Sequence, residues 1–131
     1  MNQIKRITRE EYITLVEKRQ RKDMVVQVDG AFCKTLKNYF KFIYQRLNFP
    51  ADTIRPSYNG YDDWMTDGWF FNNDKIHLII LNYDMFISED IEAKQIIMDH
   101  FETHILPWWE HDVVNCVVGG KTKEFNVYIV E

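Results

Sequence analysis

Residues 75–86, KIHLIILNYDMF, constrain the fold more than any other stretch of this chain. The core of the segment, Ile76-His77-Leu78-Ile79-Ile80-Leu81, is apolar at consecutive positions and not at alternate ones. A strand with one solvated face alternates, whereas a strand covered on both faces does not. The run therefore predicts a central strand with protein packed above and below it. His77 inside it is expected to be a core histidine with a satisfied ring, not a catalytic base.

Other elements can be arranged around that strand. Thr8 and Glu11 form T-x-x-E, a capping box that opens a short amphipathic helix through about residue 20, before RQRKD breaks the pattern. MVVQVDG, residues 24–30, reads as a strand closed by an Asp-Gly turn. Leu36, Phe40, Ile43 and Leu47 recur at helical spacing, with Lys34, Lys37, Lys41 and Arg46 on the other faces and Pro50 as a stop. After the central strand, Ser88 is expected to cap a long helix with Ile91, Met98, Phe101 and Ile105 inward until Pro107 interrupts it. Gly119-Gly120-Lys121 is a turn signal, and EFNVYIVE is a final alternating strand. Strands separated by helical stretches imply parallel pairing through crossovers. The expected fold class is α/β: a three-stranded parallel sheet with helices packed over it, residues 24–131, preceded by an N-terminal helical appendage, residues 1–23.

Size and charge limit the function classes. At 131 residues and 46% hydrophobic, the chain can bury one sizeable core and has no need of two. No apolar run approaches the roughly 18 to 20 residues of a membrane span, and MNQIKRITREEY has no secretory apolar stretch, so a cytoplasmic address is the default. Cys33 and Cys116 lie far apart without CxxC spacing, which predicts reduced, semi-buried thiols. The net charge of -4 is unevenly spread. Residues 1–50 carry 11 Lys+Arg against 5 Asp+Glu, and residues 51–112 carry 3 against 13. Such an acidic centre repels phosphates and attracts cationic partners, so no direct nucleic-acid binding is expected.

Within that centre lies YNGYDDWMTDGW, residues 58–69, too polar for a core helix and too aromatic for a bare turn. On helical spacing Asp63 and Asp67 share one face, Asp62 and Thr66 another, and Tyr61, Trp64 and Met65 form a neighbouring apolar stripe. Carboxylates thus stand beside residues able to hold the helix to a core. The plainer alternative is a solvated acidic face over half-buried aromatics.

A strand ending in a turn, a helix ending in Phe-Pro, the YDDWMTDGW segment, a strand ending near Asn82-Tyr83-Asp84, then a long helix and a last strand: this order resembles the barstar family of ribonuclease inhibitors. The resemblance covers roughly Val25 to Val130 and is most specific at residues 61–69. It implies a protein that plugs the cationic active-site cleft of a cognate ribonuclease or nuclease toxin, needing no cofactor and performing no catalysis. It implies that Asp63 is the acid most deeply engaged, and that Asn59 stands where the family has a second aspartate. Tyr58, Gly60, Asp62, Thr66 and Asp67 would line the contact with Trp64 beside them, Gly68 and Trp69 would close it, and Asp99, Glu102 and Thr103 are the candidates on the last helix. The loop NFPADTIRPS, residues 48–57, departs from the family in length and in carrying Arg55.

Two further readings stay open. His100 and His104 are four apart in HFETH and could share a zinc ion in a metal-dependent hydrolase, although Glu102 lies between them on another face and the HExxH arrangement is absent. Alternatively, the acidic helix serves a cationic protein that is not a ribonuclease.

Overall fold

The computed structural model describes residues 1–50, 57–67 and 73–131. The chain runs β1 (Ile4–Arg6), α1 (Arg9–Lys18), β2 (Met24–Asp29), α2 (Leu36–Arg46), α3 (Tyr58–Met65), β3 (Lys75–Leu81), α4 (Ile91–His100), α5 (Val113–Cys116) and β4 (Glu124–Ile129). All strand pairs are parallel, in the order β1-β4-β3-β2. Among the described residues the architecture is therefore α/β with a parallel sheet of four strands, and the expectation of three is corrected. The extra strand is β1, Ile-Lys-Arg, paired with β4 through Ile4 and Val127. With three residues and alternate burial too brief to register, it has no periodicity by which it could be found.

β3 occupies the centre, and Ile76 through Ile80 are all buried, as the unbroken apolar run requires. Alternation divides its side chains between two cores. Ile76, Leu78 and Ile80 join Val26, Val28, Phe125 and Val127 under α2, α3 and α4, whereas Ile79 packs with Val25 and Val130 against Ile7, Tyr12, Leu15 and Val16. Residues 1–23 thus contribute the edge strand and, through α1, the cover of the second face. The Thr8–Glu11 capping box forms in both directions. His77 is buried with Nε2 3.3 Å from Asp23 Oδ2, and Nδ1 has no hydrogen-bond partner.

The last helical stretch departs from expectation in three ways. Asp90, not Ser88, caps α4, its carboxylate accepting from the Ala93 amide. The inward residues are Ala93, Ile97, Phe101 and Ile105, four apart, while Ile91 is 58% exposed and Met98 half-buried. Pro107 does not stop the helix, because π-type turns at Phe101–Ile105 and Trp108–Asp112 flank it and Pro107 itself keeps helical angles. A wider turn pairs i with i+5, which lets the chain pass a residue that has no N–H to give. Of the cysteines, Cys33 is buried and Cys116 is exposed, so the pair is not uniformly semi-buried.

Ligands of open parallel sheets usually sit beyond the carboxyl ends of the strands. Here that end is filled by the protein. Gly30 approaches residues 81–86 so closely that a Cβ would meet the Asn82 carbonyl oxygen at 2.2 Å. Asp29 accepts from the Asn82 side-chain amide at 2.9 Å, and buried Ile87, held at φ 47, donates its amide to the Cys33 carbonyl. A β-branched residue at positive φ is a strained one, kept there by its surroundings. Two charged hollows open at the opposite, amino ends, where Lys123 precedes β4 and Asp23 precedes β2. Among the described residues, no helix is long and apolar enough to cross a membrane.

Candidate functional site

α3 begins where Ser57 accepts from the Gly60 amide and ends where Thr66 donates its hydroxyl to the Asp62 carbonyl oxygen at 2.7 Å. Its inner face is anchored by Tyr61 and Met65, both fully buried. The Tyr61 hydroxyl shares a 2.7 Å hydrogen bond with that of Tyr39. Burial first, and the neighbouring Tyr39 phenol second, hold Tyr61 protonated well above its ordinary range. Trp64 is half-buried and stacks on Phe49 at 5.9 Å. Buried Trp109 donates its indole N–H to the Met65 carbonyl at 3.0 Å, tying the end of α3 to the π-type turn. The helix is thus fixed in position by aromatic packing, as its apolar stripe suggested.

The two adjacent aspartates have opposite surroundings. Asp62 turns inward, its side chain 13% exposed, with Oδ2 2.7 Å from His100 Nδ1 on α4. The contact has the separation of an ion pair without the alignment of a hydrogen bond, since His100 Nδ1 has no hydrogen-bond partner; the other carboxylate oxygen, Asp62 Oδ1, has none either. Tyr58, half-buried, closes over this pair with its ring 5.6 Å from that of His100. Asp63 turns outward and is exposed. Burial, then the Asp63 charge, raise the Tyr44 phenol above its usual range. Asn59 is exposed and Gly60 half-exposed on the first turn of α3.

Asp63, Thr66 and Asp67 line an open groove together with Trp109, Val113, Val117, Gly119, Gly120, Lys121 and Lys123. Gly119 takes φ +73 in the turn that follows α5. Lys123 is held by the Asn73 carbonyl at 2.8 Å and lies over the Trp109 ring. The groove joins three of the expected contact residues, although the helix stops before Asp67. Comparison with known protein families, curated proteins and solved structures finds no match.

Glu102 and Asp99 are exposed and line a different hollow, with Tyr83, Ile91 and Lys94. Residues two apart on a helix do not share a face, so with His100 turned to α3, Glu102 points elsewhere. Thr103 is exposed and donates its hydroxyl to the Asp99 carbonyl. Gly68, Trp69 and Arg55 lie outside the described residues. His100 faces Asp62 and His104 is exposed; among the described residues no three His, Cys, Asp or Glu side chains gather where a metal ion could be held. Nothing in the sequence pointed to His100 as the partner of Asp62, or to Trp109 and Val113 as lining of the same groove as Asp63. Contacts between elements 40 residues apart leave no local periodicity.

Proposed function

We propose that this protein is a barstar-like inhibitor, an immunity protein that binds a cognate ribonuclease or nuclease toxin in the cytoplasm and occludes its active site. The observation that carries the reading is Asp63, exposed on a short helix whose neighbours Tyr61 and Met65 are fully buried. A nuclease cleft is lined with Arg, Lys and His to hold phosphate. A protein that mimics the phosphate needs carboxylates on an element that does not have to be ordered on binding. Asp63 and Asp67 supply the charge in a groove whose lining also holds Trp109, Val113 and Val117, apolar surface that excludes water, with Lys121 and Lys123 in the same lining. The Asp63 and Asp67 charges would also steer a cationic partner towards this face.

Inhibition would be stoichiometric and would involve no bond making. Asn59, exposed on the same helix, presents an amide where the resembled family has an acid, so the matching cation of the partner would be absent or displaced. The test is a pull-down with wild type, Asp63→Ala and Asp67→Ala, followed by a nuclease assay on what is retained. A basic nuclease retained and inhibited by wild type, and lost by Asp63→Ala, is expected. Retention of a cationic protein without nuclease activity would move the target away from ribonucleases, and equal retention by all three would overturn the site.

A further inference from the structure

The amino ends of the strands carry a second charged surface, of opposite sign. Two contiguous hollows sharing Gln20, Arg21, Asp23 and Asn73 open where β2 and β3 begin. Around them stand Arg19, Arg21 and Lys22 from the α1–β2 turn, Arg46 from the last turn of α2, and Lys75. Arg19, Arg21 and Lys22 are exposed, and no carboxylate of the described residues lies within ion-pair distance of them. Of the acids at hand, Asp23 lines both hollows and Asp74 the second. Asp23 accepts from the Gln20 amide at 3.1 Å and faces His77, Asp74 lines only the second hollow, and Lys75 is offset by Glu124 at 3.7 Å. Arg46 is set in place by donating to the Val25 carbonyl at 2.8 Å.

We propose that this hollow binds the phosphodiester backbone of a nucleic-acid strand. Three arginines around one cavity match phosphate oxygens, which guanidinium groups engage in pairs. The continuation past Lys22 into the second hollow suits a chain of phosphates more than a single one. Among the described residues no aromatic side chain lines either hollow, so the contacts these residues offer are to phosphates and not to stacked bases. Among the described residues, none of the strongly exposed apolar side chains, such as Phe32, Ile91 or Val118, lines the hollow, so these offer a bilayer nothing to take up there. Of the described acids in residues 51–112, none lines the first hollow and Asp74 alone lines the second.

Fluorescence anisotropy with a labelled RNA strand of about twelve nucleotides tests the site, with a DNA strand and inorganic phosphate as competitors and poly-glutamate as the acidic-protein probe. Wild type should bind at low salt. Arg19→Ala/Arg21→Ala should weaken binding about tenfold or more and make the slope of log K against log salt shallower by about 1.4, for two lost phosphate contacts on a single strand. Lys37→Ala/Lys41→Ala removes the same charge from exposed positions of α2 away from the hollow and should change little. Asp63→Ala should leave RNA binding intact, so this inference and the inhibitor reading fail separately. Equal weakening by both double variants, no wild-type binding at low salt, or preference for poly-glutamate would overturn it.

Discussion

Two charged surfaces lie at the amino ends of the strands, and they are built differently. The acidic one rests on α3, whose Tyr61 and Met65 are fully buried and whose end is tied to Trp109. The basic one rests on a turn whose cations are exposed and which is held mainly through backbone and short side chains, such as Asn73 donating to the Lys22 carbonyl. Charge on an anchored helix is fixed in place before a partner arrives, which suits one complementary cleft. Charge on long side chains over a turn can follow a flexible polyanion.

The sharpest way to break the contrast is to remove the anchor. Tyr61→Ala should cost about 3–5 kcal/mol, the range for emptying a large core site, read from urea unfolding. Arg19→Ala on the basic turn should stay within about 0.5 kcal/mol. Equal losses would show that the two surfaces are supported alike. The next effect belongs to the inward acid. Asp62→Ala or His100→Ala should cost about 1–2 kcal/mol, between an exposed ion pair and a buried one. The double variant should cost less than the sum, and a purely additive result would mean that the two side chains do not interact.

The anchor should also titrate. Burial holds the Tyr39 and Tyr61 hydroxyls protonated beyond their ordinary range and pushes the Cys33 thiol from 9.0 to about 11. The folded chain keeps these protons more tightly than the unfolded chain, so their contribution is whole below pH 9 and falls as pH rises through 9 to 11 and beyond. Urea midpoints measured across that range should decline, with a shallower decline for Cys33→Ala. A flat profile would contradict the burial of these groups.

The parts of the fold visible in the sequence are those written in short-range pattern. The unbroken run of β3, the Thr8–Glu11 box and the Phe40, Ile43 and Leu47 stripe all appear where expected, each the product of residues within a few positions of one another. What stayed hidden depends on tertiary contact. β1 exists because β4 offers an edge, Pro107 passes because the turns around it widen, and Ile91 is exposed because the buried row runs through Ala93 and Ile97. The site shows the same division. The Tyr61 and Met65 anchors were readable from spacing, but the inward turn of Asp62 goes with its contact to His100, 38 positions away, which spacing does not show.

The central claim is that Asp63 meets the partner while Asp62 supports the helix. Titration calorimetry of wild type, Asp63→Ala and Asp62→Ala against the nuclease retained in the pull-down, with melting curves for each, tests it most directly. Asp63→Ala should lose about 3–5 kcal/mol of binding, the cost of leaving a buried cation unpaired, with its melting temperature unchanged, while Asp62→Ala should lose stability first. An Asp63→Ala variant that binds as tightly as wild type would contradict the account.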